Sequence, residues 1–341
     1  MTRLRATIAL GLVLAAVLGL AGATVRVPFV ALGDGPTFDV LGDQSGKPII
    51  DVSGPVPTYP TAGQLRMTPV AVTSQVTLFG AVAMWVTGSH EVVPREEVYP
   101  TGQSSQQVDA ENTRQFSQSE NDAQTAALRY LGYPSTVQVG DVTSPGPSAG
   151  LLNPGDRLLA VGARTVTTPQ DVVDAVGATA PGRPVVVRIQ RGADTRDVTV
   201  TTAARPGDAS RGYLGITAAS QVSSPANIKI GLADVGGPSA GLIFATAIVD
   251  KLTPGELTGG KAIAGTGTID ADGRVGPIGG IRFKMDAAHD DGATAFLVPA
   301  GNCSEAVRSA PSGLTLARVS DLREGVSAVQ DLAAGRTPPT C

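Results

Sequence analysis

The chain has 341 residues, of which 42% are hydrophobic, 16% charged and 4% aromatic, with 42 Gly, 25 Pro and a formal net charge of -4. This apolar fraction excludes a disordered chain, the absence of a three-residue glycine period excludes collagen, and so many turn formers point to short elements rather than a helical bundle. No basic run or aromatic-interleaved basic patch supports nucleic-acid binding, and Cys303, Cys341, His90 and His289 have neither CxxC nor HExxH spacing, so no zinc site is expected.

From Ala6 to Val25 run twenty uncharged residues dominated by Leu, Ala, Val and Ile. At about 1.5 Å per residue they match a hydrocarbon core of roughly 30 Å. Arg3, Arg5 and the N-terminus lie on the leading side, so the positive-inside rule predicts a single-pass anchor in the cell membrane. Its N-terminus is cytoplasmic and the bulk of the chain extracytoplasmic. A cleaved signal peptide is the alternative, because Ala21-Gly22-Ala23 is an A-x-A site. Either way the body faces an oxidising exterior, which favours a Cys303–Cys341 disulfide pinning the C-terminal tail, with two free thiols as the other reading.

Residues 27 to about 103 are rich in Val, Thr, Pro and Gly. Leu65 to Val72 is predicted as strand, and Val76 to Val86 as an apolar strand or short helix. From Gln103 the composition turns polar, becoming helical over Ala123 to Leu131 before Gly132 and Pro134 close it. Val137 to Val142 is a predicted strand, followed by Pro147-Ser148-Ala149-Gly150-Leu151 and the turn Pro154-Gly155-Asp156. Thr168 and Pro169 then supply an N-cap and N1 for a short helix over Asp171 to Val176. Pro184 to Gln190 and Asp197 to Thr201 are predicted strands joined at Arg191 to Asp194.

This order, with the Pro-Gly-Asp turn and the single helix after it, resembles a bacterial PDZ domain over 70 to 80 residues. PDZ domains take C-terminal peptides as an added strand at a sheet edge, with backbone N–H groups receiving the carboxylate. Two segments fit the apolar-Gly-apolar carboxylate loop, Tyr130-Leu131-Gly132-Tyr133 and Tyr213-Leu214-Gly215-Ile216, and only one can flank the groove. An ordinary glycine turn remains open for either. The second, with Val172 on the helix, is the candidate peptide site.

After Asp208 the sequence changes again. Ile228 to Ala233 alternates as a strand, and Asp234 to Gly241 turns into an apolar helix running from about Ser239 to Leu252. A serine behind a Gly-rich turn at a helix N-terminus suits a nucleophile, because unpaired N–H groups and the helix dipole stabilise an oxyanion. Backbone around Gly237, Pro238, Ser239 and Ala240 is the candidate oxyanion site. His90 and His289 are weak partners for it, whereas a lysine desolvated by apolar neighbours also serves as a base. Lys284 follows Gly279-Gly280 on a predicted helix and shares a face with Ala287 and Ala288, at i+3 and i+4. The bland reading of such a lysine is a snorkelling surface residue.

Gly237 to Gly241, Gly265-Thr266-Gly267-Thr268-Ile269, Gly273-Arg274-Val275, Pro277 to Gly280, the Lys284 helix and Phe296 to Pro299, taken in order, resemble the proteolytic domain of Lon proteases. The resemblance spans roughly residues 228 to 310. It implies Ser239 as nucleophile, Lys284 as general base, and Thr266 as the threonine that helps hold the lysine amine. It departs from the family at Gly236, where an acidic residue is common, with Asp234 nearby but shifted, and at Arg282, where the family has a lysine. Gly255 to Ala262 imitates a Walker A loop but ends in Ala rather than Ser or Thr and follows a helix, so nucleotide binding is not expected.

The whole resembles membrane-anchored PDZ-Lon proteins of Gram-positive bacteria and actinobacteria, regarded as ATP-independent serine peptidases. The expected fold class is α+β: an N-terminal transmembrane helix, a β-rich PDZ domain and a Lon-type proteolytic α+β domain. The expected divisions are 1–26 for the cytoplasmic start and anchor, 27–115 for a β-rich segment, 116–207 for the PDZ unit and 208–341 for the proteolytic unit. Because 130 residues is short for a Lon-type domain, strands from Val40 to Val86 are expected to complete it, making the PDZ unit an insertion. The implied partners are unfolded or membrane-proximal proteins or peptides and the membrane itself, with no nucleic acid, nucleotide, metal or other cofactor; the family also allows a homo-oligomer. A catalytically idle PDZ scaffold and a protease limited to trimming its own stalk are the competing readings.

Overall fold

The computed structural model describes residues 2–232 and 235–341. Asp234, and Ala233 at the end of the strand expected over Ile228–Ala233, lie outside the described residues. The fold is mixed helix and strand, with one apolar helix at the N-terminal end.

That helix, Thr2–Thr24, carries its apolar side chains exposed. It is long and apolar enough to cross a membrane. Beyond it, Phe29–Asp34 lies between Val70–Thr73 and Glu91–Pro94 in an antiparallel three-stranded sheet. The segment Val76–Val86, open between strand and helix in the sequence, forms the helix Leu78–Thr87, capped by Thr77 and closed by left-handed Gly88. The strand expected over Leu65–Val72 is instead two strands in two different sheets, Gln64–Met67 and Val70–Thr73. The break falls at Thr68-Pro69, where proline has no N–H for a ladder and holds the residue before it extended.

The main sheet runs Phe38–Asp39, Gln64–Met67, Ala262–Gly265, Ala295–Pro299, Thr315–Val319. All but the first pairing are parallel, with Leu65 opposite Ile263, Ile263 opposite Ala295, and Leu297 opposite Ala317. Parallel strands covered on both faces read as continuous apolar runs, as Ala295-Phe-Leu-Val-Pro299 does, every residue buried. The two-residue period sorts them. Ala295 and Leu297 pack with the helices Gly241–Leu252 and Leu322–Ala333, while Phe296 and Val298 pack with the helix Ile281–Asp290. Asn227–Ile230 pairs with Ile50–Ser53, Ile228 opposite Val52.

A second sheet orders Asp194–Thr201, Pro184–Arg191, Arg157–Val161, Ser135–Val142, Ile216–Val222. Its core is separate: Val185, Val187 and Ile189 alternate inward against Val172 and Val176 of the helix Pro169–Gly177. Thr168 caps that helix in a reciprocal box with Asp171, and Pro169 opens it. This sheet extends to Val222 rather than ending at 207, because Ile216–Val222 pairs along Ser135–Val142.

The polar stretch after Gln103 departs most from its sequence reading. It is one helix, Ser105–Tyr130, opened by a capping box between Ser104 and Gln107 rather than helical only toward its end. Phe116, Ser119, Ala123 and Ala127 form a buried stripe at spacings of three and four, and Phe116 meets Phe244 edge-on at 5.8 Å. The helix therefore packs on the main core and crosses residue 115, where the sequence suggests a division.

Candidate active site

Ser239 sits in the turn before the helix Gly241–Leu252, whose residues are buried from Gly241 to Asp250. Gly237 supplies the left-handed conformation of that turn, at φ 82°. Four contacts fix it. The Gly237 N–H donates to the Asn112 carbonyl at 2.9 Å, and the Ser119 hydroxyl to the Pro238 carbonyl at 3.0 Å. The Ser239 carbonyl accepts from the Gly267 N–H at 2.8 Å and from the Thr266 hydroxyl at 3.0 Å.

Lys284 comes from the helix Ile281–Asp290, which begins after left-handed Gly280; a Cβ there would press on Val70 at 3.0 Å. Its side chain is 3% exposed, and Ala287 and Ala288 beside it are buried too. The amine donates to the Ser239 hydroxyl oxygen at 3.0 Å and to the Thr68 carbonyl. Burial makes the charged form costly and lowers its pKa from 10.5 to about 8. Serine and amine open onto a cavity of about 350 Å³ walled by Pro69, Val70, Val235, Thr268 and Ile278. A hydroxyl, a base that is neutral for much of the time near pH 8, and room for an extended chain together allow nucleophilic attack on a carbonyl.

Two expectations change in detail. Thr266 does not hold the lysine amine; its hydroxyl holds the Ser239 backbone, and the Thr68 carbonyl takes the place beside the amine. The oxyanion candidates narrow, because proline at 238 has no N–H and the Gly237 N–H is already engaged with Asn112. Ser239 and Ala240 are left. His90 bonds Ser89 and His289 faces Asp290, so neither addresses Ser239. The Walker-like lysine, Lys261, donates to the Leu332 carbonyl. Sequence reasoning missed Asn112 and Ser119, since both lie in a stretch whose polar composition resembles a solvated helix; the spacing from Phe116 through Ser119 to Ala123 was the available signal.

In the second sheet, Tyr213, Leu214, Ile216, Val172 and Val176 line one cavity of about 130 Å³ between the helix Pro169–Gly177 and the strand Ile216–Val222. Gly215 turns the chain between them at φ 71°, and that strand is the last of its sheet. The other loop candidate, Tyr130 to Tyr133, packs against the main core instead. The Pro154-Gly155-Asp156 turn is held by Asp156, buried and paired bidentately with Arg191 at 2.6 Å. Asp156→Ala removes this pair and the acceptor for the Asn153 N–H, and is expected to cost about 1–2 kcal/mol. Hydrogen exchange over Arg157–Val161 and Pro184–Arg191 should rise, while Ala295–Pro299 keeps its protection.

Cys303 and Cys341 are joined by a disulfide. It ties the last residue of the chain to the segment just after the strand Ala295–Pro299.

Two families match the chain: the PDZ domain over residues 108–202 and the Lon protease (S16) C-terminal proteolytic domain over residues 227–327. Lon protease of Buchnera aphidicola subsp. Schizaphis graminum is 38% identical over 105 residues, 30% of this chain and 13% of the relative. Lon protease 1 of Bacillus subtilis is 38% identical over 91 residues, 26% of this chain and 12% of the relative. The chain thus spans about an eighth of the length of these curated relatives. Among solved structures, the PDZ domain of an SdrC-like protein from Listeria monocytogenes is similar at 19% identity and a TM-score of 0.22, covering 24% of this chain and 85% of that one.

Proposed function

We propose that this chain is a membrane-anchored, ATP-independent serine endopeptidase with a Ser-Lys dyad, its proteolytic fold interrupted by a PDZ unit that recruits or gates substrate. The observation that carries this reading is the buried Lys284 amine, 3.0 Å from the Ser239 hydroxyl with its pKa lowered to about 8. Neutral Lys284 takes the Ser239 proton as the oxygen attacks the scissile carbonyl. The Ser239 and Ala240 N–H groups face the developing oxyanion, and the lysine returns the proton to the leaving amine. Water, deprotonated by the same amine, then releases the acyl group. Unfolded or membrane-proximal chains are the substrates, the cavity being open enough for an extended strand. Two observations support the insertion: Gln64–Met67 extends the main sheet beside Ala262–Gly265, and Ile50–Ser53 pairs with Asn227–Ile230. Idle scaffolding would leave a desolvated amine against a serine without a purpose.

The test is cleavage of an unfolded protein by the full chain without nucleotide, from pH 6 to 9. The base is the neutral amine, so the rate should rise about tenfold per pH unit below pH 8 and level off above it. A flat profile would eliminate a lysine base, and absence of cleavage at every pH would eliminate the protease.

A further inference from the structure

The helix Leu78–Thr87 displays an apolar face that the described residues leave largely exposed. Leu78, Phe79, Val82, Trp85 and Val86 are all exposed, Trp85 by 71%, while Ala81 is the helix's one buried residue. At 100° per residue these five positions fall within about 120° of arc, so the large side chains share one face of a helix whose other positions are small or apolar. No Asp, Glu, Lys or Arg occurs between Arg66 and Glu91, so the helix itself carries no fixed charge to hold water.

What covers the stripe is indicated by where the helix starts. The Leu78 N–H donates to the Val25 carbonyl, the Val27 N–H donates to the Val76 carbonyl, and Arg26 bridges Thr77. The Phe79 ring lies on Gly22, where even a methyl group would meet it at 2.5 Å. The first turn is thus fastened to the outer end of the N-terminal apolar helix, and Phe79 reaches about 3 Å inside that end, two residues at 1.5 Å each. The far end is fastened to the enzyme: Arg282, two residues before Lys284, donates to the Gly88 carbonyl at 2.8 Å.

We propose that Leu78–Thr87 lies in the outer headgroup–acyl boundary of the bilayer, with its Phe79–Trp85–Val86 face in lipid. It would hold the proteolytic unit against the membrane rather than on a free tether. This rests on the reading that Ala6–Val25 spans the bilayer. Continuity with that span, a helix without charged residues and an aromatic at each end of the stripe favour lipid over a second copy of the chain. Because Pro69 and Val70 lead toward this helix and wall the Ser239 cavity, lipid contact places the cavity within reach of chains emerging from the membrane.

Trp85 is the only tryptophan, so the wild-type full chain reports on itself. Reconstituted into phosphatidylcholine–phosphatidylglycerol vesicles, it should float with the lipid. Its emission should lie to the blue of a hydrated indole and resist iodide. Lipid brominated near the carbonyl end of the acyl chain should remove roughly half of it, and lipid brominated near the terminal methyl less. Flotation with Trp85 open to iodide and untouched by brominated lipid overturns the proposal and leaves the anchor standing. Protection from both quenchers overturns it in favour of contact between copies. Failure to float overturns the anchor and the proposal together.

Discussion

Lys284→Ala is expected to abolish peptide hydrolysis as completely as Ser239→Ala, each by about 10⁴-fold or more, with the double variant no worse than either single one. The equality follows from their acting as one unit. A serine hydroxyl without its base is a poor nucleophile at neutral pH, and an amine without the serine has nothing to activate. Steady-state cleavage of an unfolded protein checks it; a Lys284→Ala variant retaining a tenth of the activity would remove the lysine from the mechanism. Stability separates this loss from unfolding. In the folded chain burial lowers the lysine pKa from 10.5 to about 8, a difference equivalent to about 3 kcal/mol against the charged form. Below pH 8 lysine is charged in both folded and unfolded chains, and the whole penalty weighs on the native state. Between pH 8 and 10.5 the folded chain has released the proton that the unfolded chain still holds, so wild-type stability rises with pH. Lys284→Met removes the penalty, partly offset by the unpaired Thr68 carbonyl. This inactive variant should therefore melt at or above the wild-type temperature at pH 7, its advantage shrinking as pH rises through that window.

Phe244→Ala should destabilise the proteolytic core by about 3–5 kcal/mol, the usual cost of emptying a fully buried phenylalanine site. Phe244 has no exposed surface, and its ring is the point at which the helix behind Ser239 meets Phe116 of the long polar helix. The cavity would fall between two elements that cannot close over it, because both are held elsewhere by the Asn112 and Ser119 contacts to the serine turn. Denaturant unfolding followed by hydrogen exchange should show Gly241–Leu252 and Ser105–Tyr130 opening together, while Pro184–Arg191 keeps its protection in a core of its own. A loss below 1 kcal/mol would mean that the long helix is only loosely seated.

Much of this was legible because it is local. Thr168-Pro169 declared the start of a helix, and the Gly-rich turn around Gly237 declared where the apolar helix behind Ser239 begins. The three-and-four spacing of Lys284, Ala287 and Ala288 declared a shared helix face, and that face is buried. Serine and lysine were thereby picked out as a pair by residue type and surroundings. The long helix was half hidden, since its inward stripe uses Ser119 and alanines where a core stripe ordinarily uses large apolar residues.

The sequence alone therefore determined which elements form and which residue types they offer: an apolar helix at the N-terminus, a Gly-rich turn bearing a serine, and a helix bearing a lysine among alanines. Only the tertiary structure decided who meets whom. Ser239 and Lys284 are 45 residues apart and the Thr68 carbonyl is 216 residues from the amine it accepts from. Thr266 turned from the lysine to the Ser239 backbone, and the Gly237 N–H was spent on Asn112. Short-range propensity cannot rank such contacts, because parallel sheet register and helix packing set them jointly. A backbone carbonyl such as that of Thr68 carries no residue-type signature at all.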